Sequence, residues 1–113
     1  MIALACILVA LPVAVNQHGA VWDHAHRAVL DGAPQVLTLD RPDADAHRAA
    51  SLRGIPTKPG YDRDEYPPAT SAQGGAGADV EYVRSDVNRR EGAALGRQLK
   101  PFCDGQRFVY LSW

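Results

Sequence analysis

The sequence lacks the signatures of several function classes. Its 113 residues include two cysteines, Cys6 and Cys103, and no Cys-x-x-Cys pair, so a structural zinc site of the usual kind is not expected. Spacing alone leaves those cysteines either as one disulfide between the two ends of the chain or as two buried thiols. The four histidines, His18, His24, His26 and His47, show no His-x-x-x-His spacing with a third donor and read as structural. The glycine-rich stretch QGGAGA at residues 73–78 is not followed by Gly-Lys-Ser/Thr and is no phosphate-binding P-loop. Excess charge is also missing. With a formal net charge of −1, the chain has no global field for a polyanion, so a nucleic acid would need a local basic surface or a metal to hold it.

Nor is there an apolar run long enough to span a bilayer. The longest, MIALACILVALPVAV at residues 1–15, suits a signal-peptide core in length. It has no Lys or Arg before it, however, and Pro12 interrupts it, so a buried first strand over residues 2–11 is the preferred reading. No internal repeat is visible.

What is present suits one folded domain over residues 1–113. Apolar residues make up 46% and charged residues 22%, and this length supports a single core. In AVWDHAHRAVL (20–30), Val21, Ala25 and Val29 recur every four residues and predict a helix stopped by Gly32. QVLTL (35–39) predicts a strand. Pro42 and Asp43 open a second helix running to Leu52, with Gly54 beyond its end. GIPTKPG (54–60) and YDRDEYPPATS (61–71) read as connections, the latter containing the double proline Pro67-Pro68. DVEYV (79–83) alternates as a strand, DVNRREGAALGRQL (86–99) reads as a helix, and RFVYL (107–111) as a last strand after the Asp104-Gly105 turn. The order β-α-β-α-loop-β-α-β predicts an α+β domain with a mixed or antiparallel sheet.

Two clusters carry residue types suited to chemistry. In Asp62-Arg63-Asp64-Glu65-Tyr66-Pro67-Pro68, an extended backbone places Asp62 and Asp64 on one face and Glu65 on the other. Paired acids can hold a cation or serve as a general base, although such a run is more commonly a solvated turn. In Asp86-Val87-Asn88-Arg89-Arg90-Glu91-Gly92, Asn88 and Glu91 lie three apart near a helix start and offer hard oxygen donors for Mg²⁺ or Mn²⁺. The helix N-terminus, Arg89 and Arg90 would favour a phosphate. Alone, this segment reads as a charged surface helix.

Taken in order, Asp64-Glu65-Tyr66-Pro67, Gly74-Gly75, the strand DVEYV, Asn88-Arg89, Gly92 and Leu95-Gly96 resemble the NucA/NucB deoxyribonuclease domain. The resemblance implies a fold related to the ββα-metal (His-Me finger) nucleases and a metal-dependent, sequence-tolerant DNA endonuclease. By that resemblance, Asp64 would be the general base and Glu65 a second catalytic acid. Asn88 and Glu91 would bind one divalent ion, Mg²⁺ or Mn²⁺. Read from the residues themselves, Lys58, Arg63, Arg89, Arg90 and Arg97 offer a local basic surface for DNA phosphates, although each such residue is more often a solvated charge. Three positions depart from the family pattern: Arg63 where many relatives have Cys, Pro68 where an aromatic is common, and Glu91 where an amide is common. DNA is the expected partner, with an immunity or inhibitor protein if the domain is a toxin, and no membrane partner. A secreted, extracellular location is expected ahead of a cytoplasmic one. The alternative reading is a catalytically inactive DNA- or protein-binding module on the same fold.

Overall fold

The structure is a computed structural model that describes residues 9–112. The elements are β1 (Leu11–Val15), α1 (Ala20–Leu30), β2 (Leu37–Thr38), α2 (Ala44–Ser51), β3 (Tyr61–Tyr66), β4 (Asp79–Arg84), α3 (Ser85–Leu99) and β5 (Arg107–Ser112). They form a mixed three-stranded sheet in the order β1-β5-β2 and a two-stranded sheet of β3 and β4. In the first sheet β1 runs parallel to β5 and β2 antiparallel to it. The hairpin strands are antiparallel, with Asp64 opposite Glu81 and Asp62 opposite Val83. The architecture is α+β, and β3, β4 and α3 follow one another in ββα order.

The helices match the sequence pattern closely. Gly32 (φ 106°) and Gly54 (φ 78°) take the left-handed conformation just past α1 and α2, where a Cβ would be strained. The first strand begins at Leu11 and runs through Pro12 to Val15; residues 2–8 of the expected strand lie outside the described residues, as does Cys6. Cys103 is disulfide-bonded.

Two strands depart from the sequence reading. The first, β1, occupies Leu11–Val15 rather than residues 2–11, because Pro12 is tolerated on an edge strand, while Val9 and Ala10 lie outside it. The other, β3, forms where a connection was expected. YDRDEY has no apolar alternation, so periodicity gives it no strand signal. The charges are satisfied by partners from elsewhere: Asp62 by Ser85, Asn88 and Arg89, Arg63 by the Ile55 carbonyl, and Asp64 by His24. Facing residues along β3 and β4 fall into two sets. Asp62, Asp64, Asp79 and Glu81 bond to α1 or α3, while Arg63, Glu65 and Tyr82 bond to α2 or to the 52–60 connection.

The core lies where the three-stranded sheet meets α1 and α3. It comprises Val13, Val15, Leu37, Leu39 and Phe108 from the sheet side, Val21, Ala25 and Ala28 from α1, Leu95 and Leu99 from α3, and Tyr66 from β3. Polar side chains close the edges of this core. Gln98 on α3 accepts the Ala14 N–H at 2.6 Å and donates to the Ala14 carbonyl at 2.9 Å, acting as a strand neighbour for β1. Arg41 donates to the Leu99 carbonyl at the end of α3, one of the groups that a helix leaves without partners of its own, and to the Phe102 carbonyl in the turn that follows. Among the described residues, no buried side-chain polar atom lacks a hydrogen bond.

Candidate active site

The hairpin delivers the acidic cluster between the helices. Two connected cavities, of about 290 and 430 Å³, share Asp64, Glu65, Pro68, Thr70 and Asn88 in their walls. The smaller is otherwise mostly apolar, with Val21, Leu39, Tyr66 and Leu95 among its lining residues. The larger is polar and adds Arg48, Asp62 and Arg63. The structure thus brings Asp64 and Glu65 from β3 together with Asn88 from α3.

Each of these side chains is held by a named partner. The Asp64 carboxylate is largely buried, 18% exposed, and its Oδ2 lies 2.7 Å from His24 Nδ1. Glu65 accepts the Ser51 hydroxyl from α2 and lies 4.0 Å from Arg48. Asn88 donates from Nδ2 to Asp62 at 3.3 Å, which orients its amide. Asp62 also accepts from Arg89 (3.2 Å from Nε) and from the Ser85 hydroxyl (2.8 Å). The Arg89 bond, followed by those from Ser85 and Asn88, holds the Asp62 carboxyl below the usual carboxylate range.

The remaining expected residues are spread more widely. Glu91 is not among the lining residues of either cavity: its Oε2 accepts the Val21 N–H at 3.0 Å, at the start of α1. Arg63 lines the polar cavity, with its guanidinium 2.8 Å from the Ile55 carbonyl. Arg89 reaches the same region through Asp62, and Arg90 is exposed on α3.

Sequence reasoning missed His24. It is fully buried and lies between two carboxylates, Asp64 at Nδ1 and Asp79 at Nε2, the latter 2.9 Å away. Burial pushes its pKa down, but the bonds to Asp64 and Asp79 and the charges of Asp64 and Glu81 outweigh this and raise it. The signal was present in the sequence. His24 shares the inward face of α1 with Val21, Ala25 and Ala28, and a buried imidazole needs polar partners. His24, Asp79 and Glu81 also bring three ligand atoms within 4.8 Å of one another. Both imidazole nitrogens are already bonded, though, and Glu81 pairs with Arg27.

The family model for Deoxyribonuclease NucA/NucB matches residues 25–110. The chain belongs to the NucA/NucB deoxyribonuclease family. It is 40% identical over 87 residues to the DNA-entry nuclease of Bacillus subtilis (strain 168), an alignment covering 77% of this chain and 59% of that protein. The chain therefore spans about three fifths of the length of this curated relative. The matched region of this NucA/NucB-family chain contains β3, β4 and α3, the elements that carry Asp64, Glu65 and Asn88. Among the described residues, no helix is long and apolar enough to cross a membrane.

Proposed function

We propose that the chain is a metal-dependent deoxyribonuclease that hydrolyses phosphodiester bonds with little regard for sequence. The observation that carries this reading is that Asp64, Glu65 and Asn88 line the same cavity in a chain of this family.

Asp64 is the general base. It takes a proton from a water that attacks phosphorus; the bond to the 3′ oxygen breaks, and the product carries a 5′ phosphate. Glu65 is the second acid of the cavity. The donor set fits a hard divalent ion: a carboxylate and an amide oxygen, with no sulfur among the lining residues. Mg²⁺ demands few protein ligands because it keeps several waters. Asn88 and Glu65 would hold Mg²⁺ or Mn²⁺ here, while Glu91 serves as a cap on α1. When bound, the ion supplies positive charge against the phosphate oxygens as negative charge builds. Arg63, Arg89 and Arg90 contact flanking phosphates and position the strand without reading bases. The relative's name, DNA-entry nuclease, supports DNA as the substrate. The protein acts outside the cell, and where it serves as a toxin domain an immunity or inhibitor protein holds it in check.

The test is nicking of supercoiled plasmid by the purified protein with Mg²⁺ or Mn²⁺. EDTA should abolish cleavage, and Asp64→Ala should lower it at least about a hundredfold, as for a lost general base. An intact plasmid across metals and pH would instead favour a silent binding module, which salt-sensitive DNA binding without cleavage would identify.

A further inference from the structure

His24 combines complete burial with contacts to two acids. Its Nδ1 lies 2.7 Å from Asp64 Oδ2 and its Nε2 2.9 Å from Asp79 Oδ1. A neutral imidazole carries one N–H and can donate to only one of two carboxylates, whereas a ring protonated at both nitrogens donates to both. The surroundings favour the latter. Glu81 lies opposite Asp64 on β4, and Arg27, a turn further along α1, pairs with Glu81 rather than with either of His24's partners. Tyr110, partly buried on β5, also lines the apolar cavity with Asp64.

The chain of contacts has a direction. Asp79 begins β4 and is partly exposed; it anchors the far side of the ring. The near side binds one oxygen of Asp64 and leaves Oδ1 to accept a proton from water. A carboxylate on an edge strand would otherwise rotate about its side-chain torsions, and holding the base in one orientation is worth rate.

We propose that His24 is the positioning residue of Asp64, anchored in turn by Asp79, so that an acid–histidine–acid chain sets the orientation of the base. This rests on the reading of Asp64 as general base. His24 does not touch substrate; it acts through Asp64.

Amide substitutions separate positioning from mere packing. His24→Asn places a donor near the position of Nδ1, facing Asp64, while His24→Gln places one near Nε2, facing Asp79. Loss of positioning should lower kcat of His24→Gln by about 10- to 100-fold, the range for groups that orient a functional residue, with KM little changed. His24→Asn should recover most of that loss at equal folded fraction. Equal activity of the two variants, once corrected for folded fraction by thermal melting, would overturn the proposal. If neither variant folds, Asp79→Asn at the partly exposed end of the chain decides: lowered kcat at unchanged KM supports it, and unchanged kcat overturns it. Asp64→Asn isolates the underlying reading, since full activity there means that the base assignment itself has failed. A readout independent of activity is the imidazole ¹⁵N spectrum, in which the His24 Nδ1 resonance should shift in Asp64→Asn. An unmoved resonance would overturn the proposal even in a protein without nuclease activity.

Discussion

Glu91 caps a helix to which it does not belong: its Oε2 accepts the backbone N–H of Val21, 70 positions earlier in the chain, at 3.0 Å. The N-cap of α1 is Gly19, which has no side-chain acceptor, so one of the free N–H groups at that helix start is satisfied by α3. A carboxylate there also opposes the positive end of the α1 dipole. Glu91→Ala should therefore cost about 1 kcal/mol of stability, read as a lower urea midpoint at unchanged slope. Glu91→Gln keeps an acceptor and should recover part of that loss. A Glu91→Gln protein that melts like the wild type but no longer cleaves DNA would return Glu91 to the metal site.

The same contact constrains Gly19. A Cβ built there would lie within 2.3 Å of Glu91 Oε1, so Gly19→Ala must displace the cap. Gly19→Ala should destabilise the wild type yet cost less in a Glu91→Ala background, where no carboxylate stands in the way. A coupling energy of at least about 0.5 kcal/mol in this double-mutant cycle is expected for residues in contact. Strict additivity would show that the two sites are independent.

The raised pKa of His24 makes stability depend on pH in a definite sense. The net rise above 6.5 comes from Asp64 and Asp79, with Glu81, against the opposing effect of burial. A group whose folded pKa lies above its unfolded value contributes stability below the unfolded pKa and loses it as pH rises through the folded pKa. The stability gap between wild type and His24→Gln should therefore be widest below about pH 6.5 and narrow at higher pH. Parallel stability curves from pH 5 to 9 would contradict the assignment of charge to this ring.

Arg90 is exposed on α3, two positions after Asn88 in sequence. As a phosphate contact, Arg90→Ala should weaken DNA binding by the cleavage-deficient Asp64→Asn protein. It should also make the plot of log affinity against log salt shallower by about one unit. The melting temperature should not move, because surface substitutions outside capped or networked positions cost within about 0.5 kcal/mol. An unchanged salt slope would remove Arg90 from the DNA surface.

Much of the architecture was legible in the sequence because its determinants are local. The periodic apolar positions 21, 25 and 29, the stops Gly32 and Gly54, and the alternation in DVEYV each act within a few residues, and all coincide with observed elements. The ordered motif from Asp64-Glu65-Tyr66-Pro67 to Leu95-Gly96 was likewise sufficient to indicate the family. Three other features depend on partners distant in sequence. Strand β3 has no strand periodicity of its own and pairs with β4 while its charges bond to groups from α1, α2 and α3. Glu91 sits three residues from Asn88, yet one helical turn carries it to the start of α1 while Asn88 faces the cavity. His24 gained its partners only when α1 packed on the hairpin, 40 and 55 residues away in sequence. Local propensity thus set the helices and most of the strands, whereas the partners of each charged group came from long-range packing, since a buried charge is tolerated only where the fold brings it an opposite charge or a donor.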